Sequence, residues 1–177
     1  TLRASELTFN NVKVGADAAV GKVDDGYALF EGMVDRAIVA LSAEAVGCMD
    51  AINKATLEYI KTRKQFGVPI GKFQVLQHRM VDCFTNAQEA RSMTLMGTLK
   101  IDDPDATARK KAASGAKVQI GKSGKFVGQS AVQMHGGMGV TDELAVSHYF
   151  KRLTMIETLF GNQQHHLTRY ANLSVAA

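Results

Sequence analysis

The sequence predicts an all-α fold, an up-down-up-down four-helix bundle entered by a short N-terminal strand. Three observations carry that expectation. Apolar residues recur at helical spacing over three long stretches, the connections between those stretches are short and built from Gly, Pro and Asp, and a shorter helical pair closes the chain. Helices of that length with connections that short must hide their apolar faces against one another.

Each element follows from its residues. Between Glu6 and Val14, Leu7, Phe9 and Val12 alternate with polar neighbours, which predicts a short strand, and Asn10-Asn11 invites a turn or bulge within it. Gly15 to Gly26 reads as a connection, with Asp24 or Asp25 placed to cap the first helix. That helix is predicted from Tyr27 to Arg63 by Leu29, Met33, Ala37, Leu41, Met49, Ile52 and Leu57. Two glycines and a proline between Gln65 and Gly71 end it. A second helix runs from Lys72 to Lys100, with Phe73, Leu76, Met80, Phe84 and Ala87 on one face.

The turn Asp102-Asp103-Pro104-Asp105 also caps a third helix from Ala106 to Met134. Gly115, Gly121, Gly124 and Gly128 lie inside that helix, each at a cost of roughly 1 kcal/mol relative to alanine, so a neighbouring helix or a ligand should approach closely there. Thr141-Asp142-Glu143 is placed to cap a shorter helix ending at Thr158, and Gly161-Asn162 separates it from a last helix ending near Leu173.

Composition narrows the function. Apolar residues at 46% argue against disorder, and 177 residues suffice for a core without staples. Cys48 and Cys83 sit in apolar helical patterns, as buried free thiols of a reducing compartment do. The net charge of +4 is mild and the cations are scattered, so nucleic-acid binding has little support. Without a membrane-length apolar run or a signal-peptide pattern, a soluble cytoplasmic protein is expected. The chain begins at Thr1 inside a strand-like pattern, which suggests a fragment or processed product.

Two stretches carry chemistry. Gln133-Met-His-Gly-Gly-Met-Gly-Val140 interrupts a helical pattern with three glycines, either to end one helix and begin the next or to gather bare N–H groups into a cradle for phosphate. His135 there could donate to a phosphate or satisfy local backbone. Arg63-Lys64-Gln65-Phe66-Gly67 sets two cations at a helix end, where they suit the macrodipole, but Arg63 could also fork a pyrophosphate with Phe66 as a flat apolar surface beside it. His148, His165 and His166 have no partner at metal-ligand spacing, and no metal is expected.

Arg-x-x-Phe-Gly-x-Pro-Ile-x-x-Phe-Gln-x-x-Gln-His from Arg63, followed by Gln-x-His-Gly-Gly-x-Gly from Gln133, resembles the C-terminal helical domain of the acyl-CoA dehydrogenases. Leu7-Thr-Phe-Asn-Asn-Val-Lys-Val14 resembles the closing strand of that family's central β domain, so residues 1–22 are expected to be its end and a linker, and residues 23–177 the helical domain. Within the family, Asp35-Arg-Ala-x-Val-Ala-Leu and Tyr149-Phe-Lys-Arg-Leu-Thr-Met-Ile156 are most similar to the small subunits of pimeloyl-CoA dehydrogenases.

The resemblance implies an FAD-dependent oxidoreductase of fatty-acid β-oxidation that removes the α and β hydrogens of an acyl-CoA, with electron-transfer flavoprotein as partner and a homo- or hetero-oligomer as assembly. It implies that Arg63, Gln65, Phe66, Ile70, Phe73 and Gln74 touch the adenine and pyrophosphate half of a neighbouring subunit's FAD, as do Gln133, Gly136 and Gly137, while Asn162 and Gln164 lie near the flavin. The family's usual glutamate base is replaced here by Phe160. Some relatives carry the base on the first long helix directly before an arginine, which makes Asp35 the candidate base and Arg36 the neighbour that orients it. Glu31 and Glu157 are expected to be structural. A non-catalytic partner subunit that lends FAD-binding residues to a glutamate-bearing chain is the alternative, and the domain alone is expected to be inactive.

Overall fold

The computed structural model describes residues 5–175. Five helices follow in order: α1 (Tyr27–Thr62), α2 (Gln74–Lys100), α3 (Ala106–His135), α4 (Ala145–Thr158) and α5 (Gln163–Val175). Between α1 and α2 a small antiparallel hairpin pairs β1 (Lys64–Gln65) with β2 (Val68–Pro69). Helix α3 packs against the other four, and α1 and α2 pack against each other, so the predicted bundle is formed with α4 and α5 as its shorter closing pair.

The core follows the predicted stripe on α3, but on the α1 stripe Leu29, Met33 and Leu57 and on the α2 stripe Phe73 and Phe84 are exposed, and Cys83, Ala87 and Ala90 form the buried face of α2 instead. Ile38, Met49 and Ile52 of α1, Ala87 and Ala90 of α2, Ala113, Ala116, Ile120 and Val127 of α3, and Ile156 of α4 are sealed from solvent. Small residues on α2 and α3 let the helices approach closely, since side chains at a tight crossing leave no room for voids. The glycines of α3 are the clearest case. A Cβ added at Gly128 would lie 2.9 Å from the Phe150 ring, and one at Gly121 would lie 2.0 Å from the Glu157 carboxylate. These glycines therefore seat α4, which settles the predicted choice between helix and ligand at those positions in favour of the helix.

Several local expectations are corrected. Residues 6–14 form no strand, and Leu7, Phe9 and Val12 are exposed, as the β1–β2 hairpin does not pair with them and a lone strand cannot satisfy its backbone. Neither α1, which starts after Gly26, nor α4, which starts after Leu144, has a side-chain cap. Asp24 adopts a positive φ outside the helix, while the Asp142 carboxylate is taken by Lys151 at 2.8 Å. Only the α3 cap is as predicted: the Asp105 side chain accepts from the Thr107 N–H at 2.8 Å. Among the described residues no helix is long and apolar enough to cross a membrane.

Replacing Gly128 by alanine should raise helix propensity yet destabilise the fold by about 1–3 kcal/mol through overpacking against Phe150. Denaturant unfolding of Gly128→Ala against the wild type measures it.

Candidate functional site

The residues singled out in the sequence gather at the two ends of the bundle. Because α1 and α3 run the same way, their C-termini meet, and the contact is specific: the Tyr59 ring stacks on His135 with centroids 4.3 Å apart, and the Tyr59 hydroxyl donates to the His135 carbonyl at 3.4 Å. One helical turn after Tyr59 comes Arg63, and directly after His135 come Gly136 and Gly137. The structure thus brings the two motif stretches to one end of the bundle.

The hairpin there presents its aromatic tip. Phe66 has φ 54° and is 90% exposed, Gly67 follows at φ 81°, and the Phe73 ring meets the Phe66 ring edge-on at 6.1 Å. Arg63, Gln65 and Gln74 are exposed, and Arg63 has no ion-pair partner among the described residues. Ile70 differs from its neighbours, being 9% exposed and part of the core.

Opposite the hairpin, Gln133, Gly136 and Gly137 are exposed. Gly136 ends α3 with φ 59°, and a Cβ added at either Gly136 or Gly137 would meet nothing within 4 Å. Gly139 is different, since a Cβ there would lie 2.6 Å from the Val132 carbonyl oxygen. Two of the three glycines therefore leave open backbone and the third serves packing. The His135 ring is committed locally, with Nδ1 donating to the Ala131 carbonyl at 2.9 Å.

At the opposite end, Asp35 is 0% exposed. Its Oδ1 accepts from Arg169 Nη1 at 2.8 Å, while Oδ2 has no hydrogen bond and stands 4.0 Å from Arg109 Nε. Arg36, expected to orient Asp35, instead turns to solvent and pairs with Asp102 at 2.8 Å. Successive helix positions point about 100° apart, so one of the two had to leave the core face. The guanidinium that meets Asp35 is that of Arg169, 134 residues away in sequence.

Arg169 also donates to Glu31 Oε1 at 2.9 Å and to Ser114 Oγ at 3.1 Å, and Lys110 pairs with Glu31 Oε2 at 2.6 Å. Burial pushes the Glu31 carboxyl up, but hydrogen bonds and charges from Lys110 and Arg169 outweigh it and hold the group below the usual carboxylate range. Glu31 and Arg169 line two adjoining spaces. One is a cavity of about 100 Å³ walled by Phe30, Val34, Ile38 and Phe160, and the other is a polar cleft of about 580 Å³ lined by Asn162, Gln164, Thr168 and Asn172. The Asn162 Oδ1 caps α5 by accepting from the His165 N–H at 2.9 Å.

Sequence reasoning missed two buried polar residues beneath the Phe160 turn. Lys117, 0% exposed, donates to the carbonyls of Glu157 at 2.9 Å and Gly161 at 2.7 Å. His166 donates from Nε2 to the Phe160 carbonyl at 3.0 Å, and its Nδ1 accepts from Ser114 Oγ at 3.2 Å. The available signal was a lysine inside the apolar stripe of α3, at the spacing of Ala113, Ala116 and Ile120.

Burial, reinforced by the charges of Lys117, His165 and Arg169, lowers the His166 pKa from 6.5 to about 4 against the opposing Phe160 hydrogen bond. The folded state refuses a proton that the unfolded state accepts. Stability should therefore be complete above pH 6.5 and fall as pH drops towards 4, by up to about 3 kcal/mol from this group. Denaturant unfolding across that range should show the loss, and His166→Gln should flatten it.

Comparison with known proteins identifies the family and the fold. The sequence pattern of the family described as acyl-CoA dehydrogenase, C-terminal domain, matches residues 24–173. The chain is 34% identical over 139 residues to acyl-CoA dehydrogenase IpdE2 of Mycolicibacterium smegmatis, covering 78% of this chain and 42% of that protein. It is 30% identical over 160 residues to mitochondrial isovaleryl-CoA dehydrogenase of Solanum tuberosum, covering 90% and 38%. Among solved structures it is similar to the ChsE4-ChsE5 complex from Mycobacterium tuberculosis, with TM-score 0.83 and 26% identity over 95% of this chain and 44% of that one. Butyryl-CoA dehydrogenase from Megasphaera elsdenii shares the fold, with TM-score 0.88 at 24% identity over 94% and 43%. The chain spans about two-fifths of the length of the curated relatives it matches. A bundle with this hairpin and glycine turn, matched over residues 24–173, belongs to the acyl-CoA dehydrogenase family as its C-terminal domain.

Proposed function

We propose that this domain serves an FAD-dependent acyl-CoA dehydrogenase that removes the α and β hydrogens of an acyl-CoA thioester. The observation that carries the reading is the Tyr59–His135 stack, which holds an unpaired arginine and an exposed phenylalanine beside bare glycine backbone. Arg63 would fork the pyrophosphate, with Phe66 as a flat surface near the adenine half and Gln65, Phe73, Gln74 and Gln133 around it. Open space above Gly136 and Gly137 fits close approach of a phosphate to main-chain N–H groups. Ile70 supports the hairpin from the core. FAD, when bound, supplies the hydride acceptor.

Asn162 and Gln164 lie at the other end. At 1.5 Å per residue α1 carries Tyr59 roughly 36 Å from Asp35, so the two patches serve two different flavin nucleotides, one of them held mainly by a neighbouring subunit. That supports an oligomer, with electron-transfer flavoprotein as redox partner. Residues 1–22 are assigned to the end of a preceding β domain, whose sheet would give Leu7 and Phe9 a place to pack. For a dicarboxylyl thioester such as pimeloyl-CoA, Arg169 is the cation at hand. Glu31 and Asp35 already occupy it, which favours a plain acyl group.

The sealing of Asp35 favours a second reading, a partner subunit whose own acyl site is silent. No carboxylate stands at Phe160, and the Asp35 oxygens are enclosed by Arg169 and Arg109. The names of two similar complexes, ChsE4-ChsE5 and the Tcur3481-Tcur3483 steroid dehydrogenase at 30% identity, are those of two-component assemblies.

Three measurements separate the possibilities. In the flavin-loaded protein carrying this domain, Arg63→Ala should weaken FAD binding by roughly ten- to a hundredfold, the worth of charge-assisted hydrogen bonds, and unchanged affinity would remove the nucleotide site from this end. Gly137→Ala should leave the melting temperature alone yet loosen FAD, whereas Gly139→Ala should lower the melting temperature. With Asp35 as base, Asp35→Asn abolishes flavin bleaching by acyl-CoA with FAD retained. Persistent bleaching, together with co-purification of a glutamate-bearing dehydrogenase chain, establishes the partner reading instead.

A further inference from the structure

The turn between α4 and α5 places Phe160 and Gly161 in consecutive left-handed conformations, with φ 56° and 100°. A left-handed phenylalanine persists only where its surroundings over-determine it. Here Lys117 grips the carbonyls on either side, those of Glu157 and Gly161, and His166 grips the carbonyl of Phe160 itself. The grip continues inward as a chain of hydrogen bonds from His166 to Ser114, from Ser114 to Arg169 and from Arg169 to Asp35. No side chain fits at Gly161, since a Cβ there would come within 2.5 Å of His165 Cδ2. The main chain around Phe160 is thus held at three carbonyls, and its half-exposed phenyl ring stands as one wall of the cavity of about 100 Å³.

We infer that Phe160 is a fixed stopper that limits the size of the acyl group this end of the bundle accommodates, and that Lys117 and His166 are the positioning residues that hold it. The inference rests on the proposed acyl-CoA function. Glu31, His166 and Arg169 give the cavity a polar side, and Phe30, Val34 and Ile38 give it an apolar one beside the Phe160 ring, so the occupant admitted against that ring is a short aliphatic acyl chain. Removing the ring joins its volume to the cavity without touching a charged group.

The test uses the flavin-loaded protein carrying this domain, with any partner subunit present, and unreactive thioether analogues of butyryl-, octanoyl- and dodecanoyl-CoA. Binding is read by calorimetry. Phe160→Ala should tighten the longest analogue roughly tenfold or more relative to the shortest, the scale on which apolar pockets discriminate methylenes. Phe160→Gly, which also suits the left-handed backbone, should do the same. His166→Ala should broaden the chain-length profile in the same direction, and His166→Gln, which can still donate to the Phe160 carbonyl, should restore it. A purely structural role for His166 would shift the melting temperature and leave the profile unchanged. An unaltered profile in Phe160→Ala, with FAD bound and the short analogue held at wild-type affinity, overturns the stopper and leaves the proposed function standing. A wild-type protein that binds none of the analogues overturns the proposed function, and the stopper with it.

Discussion

A lysine ammonium shut away from water must be given acceptors, and Lys117 finds them in the main chain of the turn that joins α4 to α5. Much of the Phe160 end depends on that requirement. The burial that makes the ammonium costly also pushes its pKa down, and two carbonyls at 2.7 and 2.9 Å offset part of that cost. To reach them α4 must lie close along α3, which the glycines at 121 and 128 permit. The position of α4 fixes where α5 begins, and α5 carries Arg169 back to α1. Glycine groove, buried cation and interhelical ion pair thus form one argument about where the last two helices can go.

The opposite end obeys a simpler constraint. The aromatic stack of Tyr59 on His135 ties two helix C-termini, so the segments leaving them, hairpin and glycine turn, emerge as neighbours. Neither segment needs a long-range contact of its own. That is why the residues singled out at this end are exposed and largely without partners, whereas Glu31, Asp35 and Arg169 at the Phe160 end are held in hydrogen-bonded ion pairs.

The parts of this arrangement that are local were legible in the sequence. Helix α1 begins at Tyr27 as the apolar period says, and Asp105 caps α3, because both depend on neighbours a turn away. The glycines of α3 declared a close approach through their helical cost alone. Asp35 could be singled out, but its partner could not, since Arg169 lies 134 residues on and nothing in its surroundings marks it. The caps expected at Asp24 or Asp25 and at Asp142 failed for a related reason. A short acidic side chain can cap, turn or pair, and at Asp142 the choice fell to Lys151, nine residues away. Lys117 looked like any surface cation until its place on the inner stripe of α3 was seen in three dimensions.

Two phenylalanines, Phe66 and Phe160, hold the left-handed backbone that glycine or asparagine would adopt with little strain. Each forgoes stability on the order of 1 kcal/mol or more. They stand at opposite ends of the bundle, one at the rim where a nucleotide would rest and one at the wall of a cavity. At both positions the main chain takes the conformation that glycine favours while the sequence supplies an aromatic ring, so backbone ease is given up for a ring at each end of the bundle.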